Sequence, residues 1–278
     1  VDVSGLSSGV SAIASGYAHT CALTVGGEVK CSGYNNSGQL GDGTSSNSLT
    51  AVAVSGLGDG IGAIVAGVFH TCALTSGGGV KCWGYNFYGQ LGNATNTNSN
   101  IPVTVSGITT ATAIAAGDLS SCALLANAKI KCWGYNGYGE LGDATNTNSN
   151  VPVTVFGIPL PLPIAVAAGA SHTCAALATG SVTCWGDNTY GQLGDGTNVS
   201  SLTPVSVSNI STAVAIAAGD LHTCALLEDG TVECWGYNGD GQLGDGTGDD
   251  SNTPVAVSGI STAIAIDTGG SVTCALLA

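Results

Sequence analysis

Apolar and polar positions alternate along this chain in short segments, each bounded by Gly, Asn, Ser or Pro. The second copy of the pattern contains Ile64-Val65-Ala66, His70-Thr71-Cys72-Ala73-Leu74, Val80-Lys81-Cys82-Trp83-Gly84 and Ile101-Pro102-Val103-Thr104-Val105. Short β-branched or alternating runs between turn residues predict strands, four to a unit. Nothing has the length or the 3.6-residue period of a helix. Gly89-Gln90-Leu91-Gly92-Asn93-Ala94-Thr95 and a polar loop precede the fourth segment.

The pattern returns at a nearly fixed interval. The first cysteines of successive units, Cys21, Cys72, Cys122, Cys174, Cys224 and Cys274, are 51, 50, 52, 50 and 50 residues apart. Such a period marks a repeat architecture. The units fall near residues 1–50, 51–100, 101–150, 151–202 and 203–252, with 253–278 a partial sixth. A four-stranded unit cannot bury both of its faces alone, so neighbours must stack, and four-stranded sheets arranged radially make a β-propeller. The expected fold is therefore all-β, a single propeller domain over residues 1–278 with six repeats visible and six or seven blades. The loop 94–100 recurs verbatim as 144–150, as duplication of a module would leave it.

Each unit carries a second cysteine ten residues after the first. With Cys21 opposite Cys31, Leu23 falls opposite Val29 around a connection centred on Val25-Gly26-Gly27. Directly opposed residues at a non-hydrogen-bonded antiparallel position have Cα atoms roughly 4.5–5.5 Å apart, within reach of a disulfide. The expected pairs are Cys21–Cys31, Cys72–Cys82, Cys122–Cys132, Cys174–Cys184 and Cys224–Cys234. Zinc needs about four ligands in one place, and two cysteines per unit do not supply them. Each short closed loop contributes on the order of 2–3 kcal/mol in the chain-entropy picture.

Disulfides persist in oxidising surroundings, which points to an extracellular or cell-surface protein. The formal charge of −14, from 18 acidic residues against four lysines and no arginine, gives a surface that repels nucleic acid. No apolar run approaches the roughly 18 residues of a membrane helix, and no signal-type segment opens the chain. Ala, Val, Ile, Leu and Gly dominate over Phe and Trp, which suits small-residue interdigitation between twisted sheets.

The run Gly-x-x-His-Thr-Cys-Ala-Leu, followed by Gly-x-Val-x-Cys-Trp-Gly-x-Asn-x-x-Gly-Gln-Leu-Gly-Asp-Gly-Thr, resembles the repeat of the regulator of chromosome condensation family in its cysteine-bearing bacterial extracellular form. The resemblance covers nearly the whole chain and implies a propeller, usually of seven blades. Members of that family include a guanine-nucleotide exchange factor, a plant ultraviolet photoreceptor and a secreted bacterial β-lactamase inhibitor. They share a fold while using different loop surfaces, so the fold alone leaves the function open.

The repeated residues have structural readings first. His19, His70, His172 and His222 share one repeat position and are expected to be hydrogen-bonded imidazoles between blades; Ser120 and Val272 replace them in the other copies. Trp83, Trp133, Trp185 and Trp235 are expected to pack between blades, with Ser32 in the first copy. A photoreceptor role would need tryptophans beside basic residues, and the chain has no arginine. Asp42, Asp195 and Asp245 sit in Gly-Asp-Gly-Thr turns, where acids bond their own backbone. Only Asp245, Asp249 and Asp250 accumulate enough carboxylates to raise weak calcium binding, which wants six to eight oxygens. No nucleophile and base stand apart from the repeat, and no phosphate loop is present. We therefore expect no enzyme activity and no cofactor. Sequons place glycosylation candidates at Asn35, Asn93, Asn198 and Asn209, with Asn35 expected to use its amide internally. Tyr85, Phe87, Tyr88, Tyr135, Tyr138 and Tyr190 occupy equivalent loops and are expected to form an aromatic rim.

Residues 1–5 match Val103-Thr104-Val105-Ser106-Gly107, and the sixth unit reaches Cys274 without the strand that would hold its partner. An unpaired strand edge invites pairing with another chain, and an odd cysteine suggests an intermolecular bridge or a reactive thiol. Self-association, or further repeats of the same polypeptide, would satisfy both, a third reading being a chain that closes on itself with a short last blade, and a head-to-tail contact that does not close makes a filament. The favoured reading is a secreted or surface scaffold, filament-forming in one version. The alternative is a secreted binding module, inhibitor- or adhesin-like, that holds a protein or glycan on its aromatic rim. Guanine-nucleotide exchange comes third, because cytosolic partners conflict with disulfides.

Overall fold

The computed structural model describes residues 3–6, 9–58, 60–158 and 162–278. Val1 and Asp2, which begin the match to Val103-Thr104, lie outside the described residues. Among the described residues the chain is all strand and turn, with no helix, and hence none long and apolar enough to cross a membrane.

The strands are laid down in order as antiparallel neighbours. The first sheet holds β1 (Val10–Ser15), β2 (His19–Thr24), β3 (Val29–Gly33) and β4 (Ser48–Ala53). The second holds β5 (Ile61–Ala66), β6 (His70–Thr75), β7 (Val80–Gly84) and β8 (Ser99–Thr104). The third is β9 (Ala111–Ala116), β10 (Ser120–Leu125), β11 (Ile130–Gly134) and β12 (Ser149–Thr154). The fourth is β13 (Pro163–Ala168), β14 (His172–Leu177), β15 (Val182–Gly186) and β16 (Ser201–Ser206). The fifth is β17 (Ala213–Ala218), β18 (His222–Leu227), β19 (Val232–Gly236) and β20 (Ser251–Ala256). Finally β21 (Ala263–Gly269) pairs with β22 (Val272–Leu277). Two compact units divide the chain: residues 1–127, 131–135 and 148–153 form one, and 128–130, 136–147 and 154–278 the other.

In both units the cores lie between successive sheets. In the first unit Cys21, Leu23, Val29 and Leu40 of one copy pack against Ile61, Ile64, Ala73 and Trp83 of the next. The arrangement repeats with Leu74, Val80 and Leu91 against Ala111, Ile114, Ala123 and Trp133. In the second unit Cys174, Val182 and Leu193 meet Ala213, Ala225 and Trp235. Alternation explains this: each middle strand sends alternate side chains to opposite neighbours, so both faces are apolar. Cys72 and Cys82 are register partners on β6 and β7, as are Leu74 and Val80.

Disulfides join all five expected pairs. Their Cα atoms are 4.0–4.1 Å apart, the close approach of opposed residues on adjacent antiparallel strands. Cys274 on β22 is the free cysteine among the described residues and is exposed.

A buried asparagine holds each long loop. Asn86 donates to the Thr95 and Thr97 carbonyls at 3.0 Å, and its Oδ1 accepts from Leu91 N at 2.9 Å. The loop before β8 is thereby tied down without a core of its own.

Candidate functional site

The backbone brings two surface segments together in each of the five four-stranded copies. Tyr34, Tyr85 and Tyr135 each follow the third strand of a sheet directly, and their amides donate to Ala18, Phe69 and Leu119 in the turn between the first two strands, at 2.8, 2.9 and 2.9 Å. Tyr88 lies three residues beyond Tyr85, its amide held by Gln90 Oε1 at 3.1 Å. Apolar and aromatic side chains are thus presented on rigid supports at one end of the sheets of the first unit.

They form a continuous ridge. Tyr17 meets Phe69 at 6.1 Å between ring centroids, and Phe69 also meets Tyr34 at 5.8 Å and Tyr85 at 6.5 Å. Tyr85 continues to Phe87 and Tyr88 at 6.5 and 6.4 Å, and Tyr88 reaches Tyr135 at 5.0 Å. Phe87 is 64% exposed and Tyr17 81%. Tyr34, Ser37, Phe69, Tyr85, Tyr88 and Leu119 line a cavity of about 370 Å³ beneath the ridge. Burial, and then the neighbouring Tyr88, push the Tyr85 phenol above its usual range.

Of the rim residues read from the sequence, the structure joins Tyr85, Phe87, Tyr88 and Tyr135. In the second unit Tyr138 is half exposed and Tyr190 packs on Tyr237 at 5.1 Å. Sequence reasoning missed Tyr17, Tyr34, Phe69 and Tyr237. The signal was present for Tyr34 and Tyr237, which stand at the repeat position of Tyr85 and Tyr135.

The structure bears on two sets of candidates. Asn35 is fully buried, its amide donating to Asp42 Oδ1 and to the Thr44 and Ser46 carbonyls, the internal use expected of it, which sets it apart from the other three sequon asparagines. Asn198 and Asn209 are exposed and Asn93 is half-buried. Asp245, Asp249 and Asp250 do not converge. Asp245 accepts from Thr247 and Asn238, Asp250 accepts from the Asn238 amide, and Asp249 contributes its backbone carbonyl. Among the described residues no three His, Cys, Asp or Glu side chains are grouped to hold a metal ion.

The histidines and tryptophans meet neighbouring sheets as expected. His19, His70, His172 and His222 contact the hydroxyls of Thr71, Ser121, Thr223 and Thr273 through Nε2 at 2.8–2.9 Å. The indoles of Trp83, Trp133, Trp185 and Trp235 donate to the carbonyls of Gln39, Gln90, Glu140 and Gln192.

Glu140 is a further residue missed; its signal is a departure from the glutamine of the other copies. Its Oε2 accepts from Tyr138 N at 3.0 Å, while Oε1 is buried without a partner. Burial, with a smaller contribution from Asp187, pushes it up to about 7 against the pull of backbone N–H groups.

These features define a disulfide-bearing repeat protein of four-stranded sheets with an aromatic face. The chain belongs to the RCC1-like domain family, whose model matches residues 2–275. It is 31% identical over 201 residues to the ultraviolet-B receptor UVR8 of Arabidopsis thaliana, covering 71% of this chain and 46% of that protein. The chain spans less than half the length of the curated relatives it matches. Among solved structures it superposes on human WBSCR16 with a TM-score of 0.89 at 23% identity, covering 97% of this chain and 72% of that one. For Prp20p of Saccharomyces cerevisiae the TM-score is 0.83 at 23% identity, covering 94% and 67%. The fold is accordingly an RCC1-like β-propeller, and the four-stranded sheets are its blades.

Proposed function

We propose that this chain is a non-enzymatic binding module of an oxidising, extracellular or cell-surface compartment, and that it holds a protein partner on the ridge from Tyr17 to Tyr135. The carrying observation is the ridge itself: aromatic rings in unbroken contact, partly exposed along its length and most exposed at Tyr17 and Phe87. Aromatic side chains supply large contact area at low entropic cost, which is how binding hot spots are built. Five disulfides support the compartment. Protein binding is also the theme among relatives, since yeast Prp20p is described as binding Gsp1p and histones. The test is selection of displayed random peptides on the native protein and on Phe87→Ala and Tyr88→Ala variants. Sequences enriched by the native protein alone support the reading, and identical pools from all three remove the ridge from consideration.

A second reading, a scaffold assembling through β22, is favoured by one slot of about 310 Å³ lined by Gln242, Leu243, Gly244, Val257, Val272 and Ala275. At the equivalent place one copy earlier, Trp235 packs over Gly194 and donates to the Gln192 carbonyl. The slot thus suits the tryptophan of a strand laid against β22, from further repeats or another copy. Electron microscopy and non-reducing mass of the native, full-length protein decide it. Filaments or a ladder of multiples support assembly; discrete particles with Cys274 paired inside its own polypeptide refute it.

A further inference from the structure

We infer that the cavity beneath the ridge is an aromatic box that takes an arginine side chain of the protein partner. This deepens the proposed function and rests on the ridge being the binding surface. The geometry of the rings carries it. Tyr34 and Phe69 are inclined at 52°, Phe69 and Tyr85 at 78°, and Tyr85 and Tyr88 at 72°. Rings at such angles meet tilted or edge to face and not in a parallel stack, and the four of them line one cavity of about 370 Å³. An aromatic face is the negative side of the ring quadrupole, so a space walled by rings attracts a cation within about 6 Å of their centroids.

The protein brings no cation of its own. Its four basic residues are Lys30, Lys81, Lys129 and Lys131, and none lines the cavity. Lys30 is paired with Glu28, and Lys81 donates to the Gly56 and Leu57 carbonyls. The formal charge of −14 favours approach of a basic partner.

The lining also distinguishes among cations. Tyr34, Tyr85, Tyr88 and Ser37 are among the lining residues, and each carries a hydroxyl, a group that can accept hydrogen bonds. A guanidinium combines five donors with a flat face that stacks on rings, and it is more weakly hydrated than an ammonium. A quaternary ammonium has no donor to offer them. Arginine therefore matches both the ring faces and the hydroxyls.

The probe is acetyl-Gly-Ser-Arg-Ser-Gly-amide, titrated into isotope-labelled native protein while the Leu119 methyl and Phe69 ring resonances are followed. The expected result is saturable shifts, at least tenfold weaker with citrulline in place of arginine and weaker with lysine. Tyr85→Ala should abolish them, and Tyr85→Phe, which keeps the ring, should retain saturation. The citrulline comparison needs no variant and so is independent of any folding defect. Equal binding of arginine and citrulline peptides overturns the box, as does stronger binding at these resonances by tetramethylammonium or a neutral oligosaccharide. If no peptide shift appears while ridge-dependent display selection succeeds without arginine, the box falls and the ridge reading stands. If selection is unaffected by Phe87→Ala and Tyr88→Ala, the ridge reading itself is lost.

Discussion

His70 donates its Nε2 proton to the hydroxyl of Ser121, 2.9 Å away in the next blade. The direction follows from the hydroxyl, whose own proton goes to the Gln90 carbonyl at 3.0 Å. The imidazole is thereby fixed as the neutral Nε2–H form, with a buried Nδ1 that has no partner. Burial lowers His70 to about 3, with His19 contributing, and lowers His172 to about 3 and His19 and His222 to about 4.

These four rings should remain neutral throughout the physiological range. In the unfolded chain they protonate near pH 6.5. Because the folded values are lower, their contribution to stability is present above about 6.5 and is lost as pH falls toward the folded values. Ring C–H resonances followed from about pH 8 to about pH 5 should not move; a midpoint near 6.5 in folded protein would contradict the buried geometry.

Glu140 works in the opposite sense. Its folded value of about 7 lies above the ordinary 4.5, so stability contributed by the protonated acid falls as pH rises from about 4.5 through about 7. Glu140→Gln, the residue of the other copies, should flatten that slope and raise stability above pH 7, by on the order of 2–3 kcal/mol. Urea midpoints of both proteins across this range provide the check, and parallel curves would refute it.

Trp133 covers Gly92, which has φ 63° and whose added Cβ would lie 2.8 Å from the indole. Trp133→Ala should cost about 3–5 kcal/mol. Gly92→Ala should cost about 2–4 kcal/mol, through left-handed strain and overpacking together. A loss under about 0.5 kcal/mol on denaturation would mean the indole can move aside.

Ala94 and Ala144 have φ of 64° and 65° where other copies place Gly43, Gly196 and Gly246. Ala94→Gly and Ala144→Gly should each stabilise by about 0.5–1 kcal/mol, since relief of left-handed strain exceeds the entropy glycine adds to the unfolded chain. Unfolding midpoints that fall in either variant would refute this.

Much of the blade was legible in the sequence. The ten-residue separation of Cys72 and Cys82 places them opposite each other in a hairpin, and the local alternation of Leu74 and Val80 gives the same register. The functional face was half legible. Phe87 and Tyr88 stand in a loop that reads as exposed, whereas Phe69 meets Tyr85 through the hairpin of its own blade, 16 residues on, and meets Tyr34, 35 residues back, only because successive blades stack.

What the sequence by itself determined is whatever depends on local periodicity: strand succession, cysteine pairing, the apolar faces, and the turns held by Asn35 and Asn86. Tertiary structure alone decided which rings meet, which carboxylates separate, and which groups lose water. Asp245, Asp249 and Asp250 are neighbours in the chain but are drawn to different bonds around Asn238. Glu140 acquires its unusual acidity only where a packed blade removes solvent from a position that in sequence differs from glutamine by one group. The reason is physical: hydrogen-bond register is set by residues near in sequence, while desolvation and ring contact are set by surfaces that the chain brings together only on folding.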